Sequence, residues 1–235
     1  YLRRLKEDIM ITTKNRWKDR TELPVFKKLL QFQFNPIKLL ESYNQIKDKD
    51  WNAMSNEYSK FTESHNIVTQ KFDNEYQQYG LTEFDSNYNI ENRTEKSGSI
   101  WDRKIAKSNP HADERFYRKR KDNIPEYIEE VLNTIGKNVV HKTRFAKLPA
   151  GRKIKKHIDH DTKYGIRLHI PIITNNKSFY GGTGSDGVTH ESHFPADGGV
   201  WFINPGVPHW VYNEGDTERV HLIVSCDTQE ILNEY

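Results

Sequence analysis

Three side chains in the C-terminal third have the types and spacing to hold one metal ion. His157 and Asp159 stand two residues apart in His157-Ile158-Asp159, and His209 follows the rigid turn Asn204-Pro205-Gly206-Val207-Pro208. Residues i and i+2 of an extended strand point to the same side, so His157 and Asp159 can reach a common ion. Two imidazoles and a carboxylate fill one face of a mononuclear iron(II) centre and leave the remaining positions open for a co-substrate and O₂. Arg219, ten residues past His209, can grip a carboxylate through two parallel charge-assisted hydrogen bonds. The combination points to an oxygenase. A His-x-Asp pair alone is a weak signal, because a second stands at His111-Ala112-Asp113, in a polar stretch where rigid ligand geometry is not expected. His190 and His193 are a rival pair for zinc, but strand alternation sends them to opposite faces.

Two strands must carry the surroundings of such a site. In Arg167-Leu168-His169-Ile170-Pro171-Ile172, Arg167 and His169 share one face and the aliphatics share the other. In Arg219-Val220-His221-Leu222-Ile223-Val224 the same rule separates Arg219 and His221 from Val220, Leu222 and Val224. The aliphatic faces are expected to pack under N-terminal helices, and the Arg/His faces to line a polar cavity. Either strand alone reads equally well as a surface strand with its polar face in water.

From Val139 onward the pattern is β throughout: 139–148, 154–158, 166–174, 188–194, 199–203, 209–212 and 220–225. Turn clusters separate them at Pro149-Ala150-Gly151, Asn175-Asn176, Gly181-Gly182, Asp197-Gly198-Gly199, Asn204-Pro205-Gly206 and Asn213-Glu214-Gly215-Asp216. Short strands at this spacing predict a mainly β fold of the jelly-roll type with flanking helices. Upstream, residues 26–34 alternate like a strand. Asn35-Pro36 then opens a helix to about Lys47, with Ile37, Leu40, Tyr43 or Asn44, and Ile46 as its apolar face. A second helix follows Asp122 or Asn123 as cap, with Tyr127, Ile128, Val131, Leu132 and Ile135 on one face and Gly136 at its end. Residues 1–24 read as a loosely attached helix or arm, and residues 48–94 give no pattern. Residues 1–138 are thus expected to form a helical or irregular elaboration that packs on the core and shapes substrate access, with the core at 139–235. The polar stretch 95–123 is a candidate lid over the site.

Composition narrows the function classes. A net charge of +3 over 235 residues is far from the basic face of a dedicated nucleic-acid binder, and Arg118–Lys121 and Arg152–Lys156 read as solvated faces. Cys226 is the single cysteine, which excludes an intrachain disulfide and points to a reducing, cytoplasmic compartment. No apolar run reaches membrane-spanning length. Trp201 and Trp210 read as core residues.

Several of these segments occur in one order that resembles the aspartyl/asparaginyl β-hydroxylase-like branch of iron(II)/2-oxoglutarate oxygenases, which includes enzymes of the proline cis-4-hydroxylase type. The carriers are Arg144-Phe145-Ala146-Lys147-Leu148-Pro149-Ala150-Gly151, His157-x-Asp159, Arg167 to Asn175, Pro208-His209 with Asn213, and Arg219-Val220-His221-Leu222. They span roughly 139–227; residues 1–138 resemble no named family. The resemblance implies a double-stranded β-helix (cupin-like), with His157, Asp159 and His209 as catalytic iron ligands. It implies Arg219 as the anchor for the far carboxylate of 2-oxoglutarate, with His169 nearby and Arg167 lining the site. The implied activity uses Fe(II), 2-oxoglutarate and O₂ to hydroxylate an amino acid, free or within a polypeptide, with release of succinate and CO₂. The alternative is a non-catalytic cupin-like protein that binds a small carboxylate or a metal. A third reading, an RNA-associated modifier, requires both basic stretches on one surface beside the cavity mouth.

Overall fold

A computed structural model describes residues 17–51, 76–88 and 113–233. Its strands are β1 (Phe26–Gln33), β2 (Gln77–Gly80), β3 (Thr82–Glu83), β4 (Lys119–Arg120), β5 (Val140–Leu148), β6 (Arg152–His157), β7 (Ile166–Ile173), β8 (Ser178–Thr183), β9 (Thr189–Ser192), β10 (Gly199–Ile203), β11 (His209–Asn213) and β12 (Arg219–Cys226). Two helices, α1 (Pro36–Asn44) and α2 (Glu126–Gly136), precede the strand-rich part, and short 3-10 turns sit at Arg20–Glu22, Glu114–Phe116 and Glu230–Leu232.

The strands form an antiparallel six-stranded sheet, β1-β10-β7-β12-β5-β2, and a four-stranded sheet, β6-β11-β8-β9. The sheets face each other across an inner cluster to which the larger gives Ala146, Leu148, Ile203 and Ile223 and the smaller gives Ile154, Tyr180 and Val211. This is the jelly-roll, cupin-like core of a double-stranded β-helix. The outer face of the larger sheet carries Leu168, Ile170, Ile172, Val220, Leu222 and Val224, packed against Leu39, Tyr43 and Ile46 near α1 and Ile128, Val131, Leu132 and Ile135 of α2. Alternation along β7 and β12 therefore sorts side chains as expected: aliphatics go under the helices, arginines and histidines go inward. Burying each such aliphatic contributes about 1.5–3 kcal/mol, so the outer face fixes the register that aims the inner one.

Several expectations need correction. Strands β1 and β2 lie in the larger sheet, so the core reaches well upstream of residue 139. Gly181-Gly182 is not a turn. It lies inside β8, opposite Trp210 and His209, and a Cβ on Gly181 would meet the Trp210 ring at 2.3 Å. Glycine is there to admit the indole across the strand pair. Asn35 caps α1 as expected, accepting from the N–H groups of Ile37 and Lys38. The buried face of α1 is nevertheless Leu39, Ser42 and Tyr43, with Ile37 67% and Leu40 39% exposed. Neither Asp122 nor Asn123 caps α2: Pro125 occupies that position without a side-chain bond, and Glu126 and Glu129 supply negative charge to the first turn. Of the basic run, Lys119 is exposed, but Arg118 stacks on Tyr88 and pairs with Asp227, and Arg120 pairs with Glu129. Most of the proposed arm and lid (residues 1–16 and 95–112) lies outside the described residues, as does His111.

Candidate metal centre

Sheet register builds the centre. His157 ends β6 and His209 begins β11, and the two are direct partners across the strand pair, with ring centroids 4.3 Å apart. Asp159 lies just beyond β6, where its N–H donates to the carbonyl of Pro205 at 2.9 Å. That turn is locked from within, since the buried Asn204 amide donates to the carbonyls of Arg20 and Leu23 and accepts from Gly206 N–H. The loop bearing Asp159 and the turn preceding His209 are thus fastened together. One ligand atom from each of His157, Asp159 and His209 lies within 4.8 Å of the others, and among the described residues this is the one such cluster. His157 Nε2 is 3.7 Å from Asp159 Oδ1, and His209 Nε2 is 3.5 Å from Asp159 Oδ2.

Both imidazoles are oriented for ligation. His157 Nδ1 meets the carbonyl of Lys155 at 2.7 Å, and His209 Nδ1 meets that of Val207 at 2.9 Å. A carbonyl only accepts, so each Nδ1 carries the proton and each Nε2 turns a lone pair toward Asp159. Tyr180 stacks on His209 with its centroid 5.7 Å away. The rival zinc pair is not assembled: His190 lies edge-on to Phe26, while His193 Nδ1 contacts the Ser178 carbonyl.

Arg167 points inward and pairs with Asp159 Oδ2 and, at 3.4 Å, with Glu114 Oε2. Glu114 also receives Lys142 Nζ at 3.0 Å and faces His160 Nε2 at 3.2 Å. Burial alone raises a carboxyl, but Lys142 and Arg167 outweigh it and hold Glu114 well below the usual range. The 3-10 turn that carries Glu114 is itself anchored, because Asp113 accepts from Arg115 and from the Tyr164 hydroxyl. Asp113, half of the second His-x-Asp pair, is thereby fully engaged away from the centre.

Arg219 is 3% exposed and donates to His221 Nδ1 at 3.0 Å; His169 Nδ1 lies 3.4 Å from the same nitrogen. Among the described residues no carboxylate pairs with Arg219. Burial pulls its guanidinium down to about 10. Burial, then the charge of Arg219, pushes both His169 and His221 well below the ordinary histidine range, so both rings are neutral near pH 7. A buried cation without an anion is costly unless something supplies the charge. The sequence analysis did not single out Glu114, Lys142 or His160. Nothing in their sequence neighbourhood marks them, since they meet only through the fold.

A sequence profile of the aspartyl/asparaginyl β-hydroxylase family matches residues 48–228, more than half of the chain. The chain belongs to the aspartyl/asparaginyl β-hydroxylase family. The match begins about ninety residues before the segments that carried the resemblance, so much of the chain before residue 139 is part of the family pattern. Among solved structures, a prolyl-4-hydroxylase of Pseudomonas putida is similar with TM-score 0.46 and 13% identity, covering 86% of this chain and 91% of that one. A cupin domain of Bordetella pertussis is similar with TM-score 0.30 and 21% identity over 38% of this chain and 83% of its own. No curated protein sequence matches this hydroxylase-family chain. Among its described residues no helix is long and apolar enough to cross a membrane.

Proposed function

We propose that the protein is an Fe(II)- and 2-oxoglutarate-dependent dioxygenase that hydroxylates an amino acid, free or within a polypeptide, releasing succinate and CO₂. One observation carries this reading: His157, Asp159 and His209 converge beside Arg219, a buried guanidinium with no acid partner. The donor set suits ferrous iron, since two neutral imidazole nitrogens and one carboxylate oxygen form a facial triad with positions left over. When bound, the iron together with 2-oxoglutarate and O₂ supplies the oxidising power for inserting oxygen into a C–H bond.

The chain's own contribution is position and charge. Carbonyls behind His157 and His209 fix their tautomers, which second-neighbour bonds do at many metal sites. Arg167 steers the Asp159 carboxylate, and Glu114 steadies Arg167. Arg219 takes the far carboxylate of 2-oxoglutarate with its paired donors, and neutral His169 and His221 leave that charge unopposed. Tyr180, pushed well above the usual phenol range by burial, stays protonated and screens one side of His209. The buried thiol of Cys226, also pushed up by burial, suits a reducing cytoplasm, where we place the protein.

The test is to incubate the protein with Fe(II), 2-oxoglutarate and panels of amino acids and peptides. Stimulated succinate release with a mass gain of one oxygen in a panel member is expected, and His157→Ala abolishes both. Folded protein that gives neither, or equal turnover in His157→Ala, returns the molecule to the non-catalytic cupin-like binder.

A further inference from the structure

Arg144 is a buried cation for which the arrangement above finds no use. It lies on β5 opposite Ile223 of β12, and Ile223 in turn pairs with His169 of β7. Its strand neighbours of like parity, Ala146 and Leu148, belong to the inner cluster, so Arg144 faces inward. The β5–β12 register slips between Ile223 and Ser225, and Lys142 adopts φ +29° there. Such a bulge re-aims side chains. Here it leaves Lys142 on Glu114 with Arg144 beside it.

The guanidinium is poorly satisfied. Arg144 is 7% exposed, its Nη1 donates to its own strand at the Lys142 carbonyl at 3.1 Å, and its Nε is buried with no acceptor among the described residues. No described carboxylate lies within ion-pair distance of it. The nearby acids are taken, Asp159 by Arg167 and Glu114 by Lys142 and Arg167. Tyr76 feels Arg144, Arg219, Arg167 and Asp159 together, which gathers these groups around one phenol. Lys142, Arg144, Arg167 and Arg219 thus face only Asp159 and Glu114. A ferrous ion and a 2-oxoglutarate dianion cancel each other, so the loaded cavity keeps its excess of positive charge. Buried polar groups left unmatched in this way call for a partner.

We propose that Arg144 binds a carboxylate of the substrate, so that the molecule hydroxylated is itself an acid. The inference rests on the oxygenase reading for the meaning of "substrate", while the binding it asserts is measurable without turnover. Two sources share the chemistry: the α-carboxylate of a free amino acid and an acidic side chain in a polypeptide.

The experiment loads the protein with Mn(II), a redox-inert stand-in, and saturates it with 2-oxoglutarate. Calorimetric titrations follow with the common L-amino acids, their carboxamides, and short end-blocked peptides bearing a central Asp or Asn. A free acid that binds while its amide does not assigns the first source; an Asp peptide that binds while its Asn counterpart does not assigns the second. Arg144→Met should weaken the acid roughly 10- to 100-fold, with Mn(II) and 2-oxoglutarate affinities held within about threefold. Arg144→Lys, which keeps the charge and loses the fork, should fall between. Equal binding of acid and amide, no binding in any series, or wild-type acid affinity in Arg144→Met overturns the proposal. So does a loss of 2-oxoglutarate affinity in Arg144→Met, which would move Arg144 into the co-substrate site. Should Arg144→Met not fold, Arg144→Lys and the acid-versus-amide comparison decide. Wild-type protein that takes Mn(II) but not 2-oxoglutarate sinks the oxygenase reading instead, and the acid titrations without co-substrate still judge Arg144.

Discussion

Replacing Arg219 by methionine separates binding from stability. The side chain is buried, donates to His221 and pairs with no described acid. If its role is to meet an anion, the folded protein carries it at a cost. The fall of its guanidinium to about 10 corresponds to a penalty of about 3 kcal/mol on the charged form. Against that stands the bond to His221, at about 1.5–3 kcal/mol for a charged donor. Methionine fills similar volume without charge, so Arg219→Met should unfold at the same denaturant concentration as wild type or slightly higher. Co-substrate binding should respond in the opposite sense. Two charge-assisted bonds at about 1.5–3 kcal/mol each place the loss of 2-oxoglutarate affinity at about a hundredfold or more. The assay pairs urea unfolding with calorimetric titration of 2-oxoglutarate into Mn(II)-loaded protein. Marked destabilisation with intact 2-oxoglutarate affinity would refute the reasoning, because Arg219 would then be a structural cation.

Glu114→Gln leaves Lys142 and Arg167 buried without their shared acid, and should cost about 3–5 kcal/mol at neutral pH by urea unfolding. Because the folded carboxyl is held below its ordinary 4.5, its stabilisation is complete above that value and drains away as pH falls. The gap between wild type and variant should therefore narrow toward about pH 3, and a constant gap would exclude Glu114 as its source. Gly181→Ala drives a methyl into the Trp210 ring and should lower stability by about 1–3 kcal/mol, read as a drop in Tm; an unchanged Tm would mean that the indole yields freely.

The fold and the centre were legible to different depths. Strict alternation along β7 and β12 made the inward Arg/His faces readable, because one buried aliphatic face leaves a strand a single register. The rigid Pro-Gly turn before His209 and the i, i+2 spacing of His157 and Asp159 made their convergence readable as well. Glu114 was hidden because its partners Lys142, His160 and Arg167 come from three later segments, while its own surroundings are uniformly polar. Gly181-Gly182 misled because paired glycines carry a turn signal, and the reason for them, Trp210, lies on another strand. On α1 the nine-residue span is too short for periodicity to fix a face, and contact with the sheet chose Leu39 over Ile37 and Leu40.

The central claim is that His157, Asp159 and His209 present a ferrous centre to which 2-oxoglutarate binds in chelating fashion. Visible absorption under anaerobic conditions tests it most directly. Fe(II) and 2-oxoglutarate added together should give a weak charge-transfer band that His209→Ala lacks. Fe(II) and 2-oxoglutarate that both bind without producing the band, or a band undiminished in His209→Ala, would contradict it.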